Sequence, residues 1–226
     1  MRAEEIDLLI PLAGVKLPAT VCLPDGLTAA VVFAHGSGSD RYDVRDQLLA
    51  DELAGAGIGT VRVDLLTPDE RKADADTQHL RFDLELLAER LDGVAEWLLA
   101  VKPGIELGYC SAGTGTAAAL TACARHGRAT AIVARAGRPD LAAPELKQVR
   151  AATLLLVGAF DPVALEANRD AVGALGGPTR LEVVPNATHR FDEPGTLEHV
   201  VRLTRAWFVH WLSAARETRN EVHTPW

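Results

Sequence analysis

Residues 105–116 read Ile105-Glu106-Leu107-Gly108-Tyr109-Cys110-Ser111-Ala112-Gly113-Thr114-Gly115-Thr116. An apolar start, a glycine-rich centre and the small residues Ala117-Ala118-Ala119 beyond it predict a buried strand, a sharp turn and a helix. The strand is expected over 105–109 and the helix to about His126. A turn of this kind aims the first amides of the helix at whatever lies above the strand end, which makes it a natural place for chemistry.

The rest of the chain repeats the theme. Strand-type runs are expected at 6–12, 17–23, 29–34, 59–64, 130–135, 152–158 and 180–184, with a hairpin turn at Ala13-Gly14-Val15-Lys16 between the first two. Helical patterns separate most of them, at 45–53, 164–175 and 196–212. The clearest helix carries Leu84, Leu87, Leu91, Val94 and Leu98 in steps of three and four, one apolar stripe. The polar stretch 65–79, with Pro68, is expected to be a loop or short lid. Alternating strands and helices imply a mostly parallel sheet covered by helices on both faces, the α/β class. Sites in such sheets form at the carboxyl ends of strands. The residues to watch are therefore His35–Ser39, Asp64, Tyr109–Gly115, Arg135–Asp140, Asp161 and His189.

Composition narrows the function classes. The 226 residues are 48% hydrophobic and 24% charged, as in an ordinary globular domain. Residues 1–215 are read as one domain and 216–226 as a polar tail. A net charge of −8 argues against nucleic acid or an anionic membrane as partner. The expected partner is a small-molecule substrate, and the expected state is a monomer or homodimer. No apolar run approaches the ~18 residues of a membrane span. Cys22, Cys110 and Cys123 are an odd set at irregular spacing, which suits a reducing cytoplasm. No spacing resembles a metal site, and no organic cofactor is indicated.

Chain order adds a second constraint. A nucleophile-type turn, then an acid after a strand (Asp161), then a histidine on a later loop (His189) is the order of the α/β-hydrolase fold. The sequence resembles the dienelactone hydrolase-like branch of that fold over about residues 5–212. The resemblance rests on Val32-Phe33-Ala34-His35-Gly36-Ser37-Gly38-Ser39, Leu80-Arg81-Phe82-Asp83, Gly137-Arg138-Pro139-Asp140-Leu141 and Pro185-Asn186-Ala187-Thr188-His189. It implies a single domain without a large cap. It also implies an Asp161–His189 acid–base pair and an oxyanion site made by the amides of Ser37 and of the residue after the nucleophile. His35 and Arg138 are candidate substrate contacts.

The nucleophile itself departs from the family pattern Gly-x-Ser-x-Gly or Gly-x-Cys-x-Gly. Three registers are open. Gly108-Tyr109-Cys110-Ser111-Ala112 would make Cys110 the nucleophile. Tyr109-Cys110-Ser111-Ala112-Gly113 would make Ser111 the nucleophile, but with bulky Tyr109 where helix and strand pass closely. Ser111-Ala112-Gly113-Thr114-Gly115 resembles the Gly-Ala-Ser-Thr-Gly of relatives, with Gly113 in the serine position and Thr114 supplying the second oxyanion amide. Two points favour the third. Glycine takes the strained apex at little cost. The Cys110 register instead buries Gly113 and Gly115 in the early helix, at about 1 kcal/mol each relative to alanine.

If Gly113 is the apex, no acyl-enzyme can form there. Asp161 and His189 remain able to orient and move a proton. The expectation is acid–base chemistry on a small oxygenated substrate, by cyclisation, elimination, addition or direct attack of water. The rivals are an ester or lactone hydrolase using Cys110 or Ser111, and a catalytically silent binding protein.

Overall fold

A computed structural model of the chain describes residues 4–36 and 38–222. Eight strands form one sheet: β1 (Ile6–Leu12), β2 (Val15–Cys22), β3 (Ala29–Ala34), β4 (Gly59–Val63), β5 (Glu106–Ala112), β6 (Ala131–Arg135), β7 (Ala152–Gly158) and β8 (Thr179–Val184). Their order is β1-β2-β4-β3-β5-β6-β7-β8. β1 runs antiparallel to β2, and β2 antiparallel to β4. Every pairing from β4 through β3 to β8 is parallel. The carboxyl ends of β3, β5, β6 and β7 therefore open on one edge.

The central strands are buried on both faces, which explains their uninterrupted apolar runs. Helices α1 (Val44–Gly55) and α6 (Thr196–Val222) cover one face. Leu49, Leu53, Phe208 and Leu212 pack there with Val31, Phe33 and Val133. Helices α3 (Leu84–Val101), α4 (Gly115–His126) and α5 (Pro162–Ala174) cover the other. The α3 stripe Leu87, Leu91, Val94 and Leu98 is almost wholly removed from water. Each such side chain contributes about 1.5–3 kcal/mol of transfer free energy. Apart from Leu120, small residues line α4 from Ala117 to Cys123, all buried, so this helix sits tight against the sheet.

Three expectations change. The stretch 65–79 holds helix α2 (Pro68–Thr77), not only loop. It lacks an apolar stripe, so its stability comes from its start. The Thr67 hydroxyl accepts from the Glu70 amide and the Glu70 carboxylate from the Thr67 amide, with Pro68 opening the first turn. Second, the loop with Pro139 and Pro144 is a chain of 3-10 turns over Pro139–Gln148. Third, α6 does not stop near Leu212 but continues to Val222, so the expected loose tail is helical that far. Residues 223–226 of that tail, with Trp226, lie outside the described residues. Apart from α2 and a short 3-10 turn at Leu80–Phe82, no covering domain stands over the strand-end edge among the described residues.

Candidate active site

Strand β5 runs three residues beyond the expected end, to Ala112, and α4 begins at Gly115. Between them Gly113 has φ +52°, in the left-handed region that glycine enters without penalty. Its amide donates to the Arg135 carbonyl at 3.3 Å. Its own carbonyl accepts from the Thr116 and Arg138 amides at 3.3 and 3.0 Å. A methyl group on Gly113 would meet only the Cα of Gly36, at an ordinary 3.5 Å, so the apex faces open space. Gly115 is the opposite case. A Cβ there would stand 2.2 Å from the Ala34 carbonyl oxygen, so only glycine lets α4 pass this close to β3. The turn between β5 and α4 thus falls at Gly113.

Cys110 and Ser111 lie inside β5, before the turn, and neither lines the cleft above it. Cys110 points into the apolar layer under α1 and α6, and burial pushes its thiol up to about 12. Almost none of it exists as the thiolate that a nucleophile requires. Ser111 is buried on the strand, its hydroxyl 3.2 Å from that of Thr116 and donating to the Val133 carbonyl at 3.3 Å. The thiol and hydroxyl registers of the sequence reading find no side chain at the apex.

His189 and Asp161 come together across 28 residues of sequence. His189 Nδ1 lies 2.6 Å from Asp161 Oδ2. The carboxylate is 12% exposed and the imidazole 59%. Asp161 Oδ1 meanwhile accepts from the Ala164 amide, capping α5, so one side chain fixes a helix and a histidine together. The contact holds the proton on Nδ1 and leaves Nε2 as the basic nitrogen. His189, Asp161, Gly113 and Thr114 line one cleft lobe of about 510 Å³. The α4 N-terminus, with no acidic side chain in its first turn, adds positive potential at its floor.

The lobe continues into a second, of about 490 Å³, past His35, Gly36 and Thr114. His35 lines both. Its Nε2 lies 3.1 Å from Asp64 Oδ1, a buried carboxylate that also accepts from the Arg41 amide and from Arg41 and Arg71 guanidinium groups at 2.5 and 2.8 Å. Arg138 lines the first lobe but is held by Asp140, at 2.7–3.1 Å. Ser37, the other expected oxyanion amide, lies outside the described residues. Among the described residues no group of three or more His, Cys, Asp or Glu is arranged to hold a metal ion. None of their helices is long and apolar enough to cross a membrane.

Sequence reading missed the buried Arg135–Asp46 ion pair, which joins the end of β6 to α1 on the cleft floor. Arg135 ends an apolar strand, a position where an unpartnered charge is costly, and that was the available signal. Also missed were Ala136 (φ +43°) and Phe191 (φ +56°), non-glycine residues in left-handed backbone beside the cleft. Strain of this kind persists where surrounding structure enforces it.

No protein-family model matches the chain. Two Mycobacterium tuberculosis proteins named "Putative phosphoribosyl transferase" are 44% identical over 219 residues, 94% of this chain. The chain spans 47% of their length, about half. The esterase Est1E of Butyrivibrio proteoclasticus shares the fold at 14% identity with a TM-score of 0.76, over 92% of this chain and 99% of that one. The crystal structure of a dienelactone hydrolase from Anabaena variabilis superposes with a TM-score of 0.91 at 42% identity, covering 94% of this chain and 100% of that one. At that identity over 94% of its length, the chain belongs to the dienelactone hydrolase family of α/β-hydrolases.

Proposed function

We propose that this chain is an α/β-hydrolase-fold enzyme that transfers protons on a small oxygenated substrate, such as a lactone or enol ester, without a covalent intermediate. The observation that supports this reading is Gly113 at φ +52° in the turn between β5 and α4, which we read as the nucleophile position. His189 Nε2 takes a proton from a bound water or from the substrate. Asp161 Oδ2 accepts the Nδ1 hydrogen and stabilises the imidazolium that results. Negative charge developing on a substrate oxygen is met by the amide end of α4. Attack by water, ring opening and elimination all fit this arrangement. The transferase name of the mycobacterial relatives is not carried over, since this chain matches half of them and a dienelactone hydrolase in full.

The test is a panel of a dienelactone, simple lactones and p-nitrophenyl esters, assayed in H₂¹⁸O with rapid acid quench and intact-mass analysis. Turnover is expected without any acyl adduct on the protein, and His189→Ala is expected to lose it by about 100-fold or more. An acyl adduct on Cys110 or Ser111, or a wild-type protein inert across the panel, would overturn the reading.

A further inference from the structure

We propose that His35 is a second proton-transfer residue of this cleft, donating a proton to the leaving oxygen while His189 accepts one. The proposal rests on the proton-transfer reading above and assigns the acid that reading lacks. The two histidines are built alike. Each has one ring nitrogen on a carboxylate, His189 Nδ1 on Asp161 and His35 Nε2 on Asp64. His35 directly follows β3 and His189 sits on the loop after β8, and both line the same lobe. The other nitrogen of His35, Nδ1, makes a long 3.3 Å hydrogen bond to the carbonyl of Gly36, the residue whose Cα faces Gly113, and in the proposed step a substrate oxygen takes the place of that carbonyl.

The charges around His35 favour a ring that carries a proton. Burial opposes the charged form, but the Asp64 hydrogen bond and charge, with Asp46 behind them, hold the pKa above its ordinary value. Asp64 faces it from the end of β4 and Asp46 from α1. Arg41, from the loop after β3, and Arg71, from α2, share Asp64 and act against protonation. Asp43 and Arg45 line the same cleft as a mutual pair. A purely structural histidine is not needed here, because Arg41 already ties the loop to Asp64 through both its amide and its guanidinium.

The step balances without a further reagent. One proton passes from water or substrate to His189 Nε2, and the electron pair left behind forms the new bond, water oxygen to acyl carbon in hydrolysis or the carbon–carbon double bond in elimination. One passes from His35 Nδ1 to the substrate oxygen as its C–O bond breaks and the electron pair stays on oxygen. The rings exchange charge states, and one proton lost to and one gained from solvent restores them.

Two measurements test this. In ¹⁵N NMR of the histidine rings, with the His35 signal identified by its loss in His35→Gln, His35 should titrate above the usual value of about 6.5 and fall in Asp64→Asn. A ring already neutral at that pH overturns the proposal with no substrate involved. In the second, kcat/KM is measured against pH on a dienelactone and on p-nitrophenyl acetate. An enolate or alkoxide leaving group needs a proton and nitrophenolate does not. His35→Gln should therefore slow the lactone by roughly 100-fold, abolish the alkaline limb of its profile, and slow the nitrophenyl ester far less. Equal loss on both substrates, or on neither, overturns the acid role and leaves the His189 reading standing. If the wild-type protein turns over neither, both readings fall. Circular dichroism melting of the variant accompanies the kinetics, and an unfolded His35→Gln protein also counts against the proposal, since Arg41 would then not suffice to anchor the loop.

Discussion

Asp161 holds His189 with one carboxylate oxygen and the first turn of α5 with the other, 2.6 Å to the ring nitrogen and 3.2 Å to the Ala164 amide. The helix cap and the orientation of the His189 ring are thus carried by one residue, and two substitutions separate them. Asparagine caps a helix about as well as aspartate, whereas alanine costs about 1 kcal/mol. Asp161→Asn should therefore melt close to the wild type and lose activity by about 100-fold or more, with the imidazolium no longer stabilised. Asp161→Ala should lose both activity and several degrees of melting temperature. Calorimetry beside kinetics checks this. An Asp161→Asn protein with full activity would remove the carboxylate from the mechanism.

Cys110 is a packing residue on this account. Its thiol, pushed up to about 12 by burial, should resist iodoacetamide at pH 8 in the folded protein and react at once in guanidinium. Cys110→Ala should keep activity within about twofold and cost about 1 kcal/mol for the small cavity. Peptide mapping after alkylation is the measurement. Rapid labelling that abolishes turnover would return the thiol to the site.

The Arg135–Asp46 pair is buried on the cleft floor, so breaking it leaves a charge stranded in the interior. Asp46→Asn should destabilise by about 3–5 kcal/mol, while joint replacement of both residues by apolar ones of similar volume should recover most of that. Urea denaturation of the single and double variants gives the comparison. A neutral Asp46→Asn would mean the guanidinium finds another partner.

The α2 start carries an acid-sensitive contact. The Arg90 guanidinium beside Glu70, together with the Thr67 amide, lowers its pKa from 4.5 to about 2. A carboxylate lowered on folding stabilises the folded state above its unfolded value. That contribution fades as pH falls from about 4.5 towards 2. Glu70→Gln should thus be less stable than wild type at neutral pH, and the two denaturation curves should converge below about pH 2–3. A difference independent of pH would assign the loss to packing alone.

How much of this was legible in the sequence depended on the kind of signal. The parallel sheet was readable because Ala29–Ala34 and Ala152–Gly158 are uninterrupted apolar runs bounded by turn residues. The turn at Gly113 was readable from two glycines that a helix interior would penalise. Helix α2 was not read, because residues 68–77 have no apolar stripe. The signal present was local, Thr67 and Glu70 three apart with Pro68 between them, and it was passed over. The length of α6 was missed for the same reason, since a polar continuation looks like a tail when only apolar spacing is followed. The Arg135–Asp46 pair spans 89 residues, and nothing local in either segment announces the other.

The central claim is that Gly113 occupies the nucleophile position of an otherwise assembled site. The space above it accepts a side chain, with Gly36 Cα at 3.5 Å from where a Cβ would stand. The direct measurement is intact-mass analysis after treatment with a fluorophosphonate, comparing wild type, Gly113→Ser and Gly113→Ser/His189→Ala. The account predicts no adduct on the wild type, one adduct per chain at position 113 of the Gly113→Ser protein, and loss of that adduct when His189 is also removed. A wild-type protein that labels at Ser111 or Cys110, or a folded Gly113→Ser protein that stays unlabelled, would contradict it.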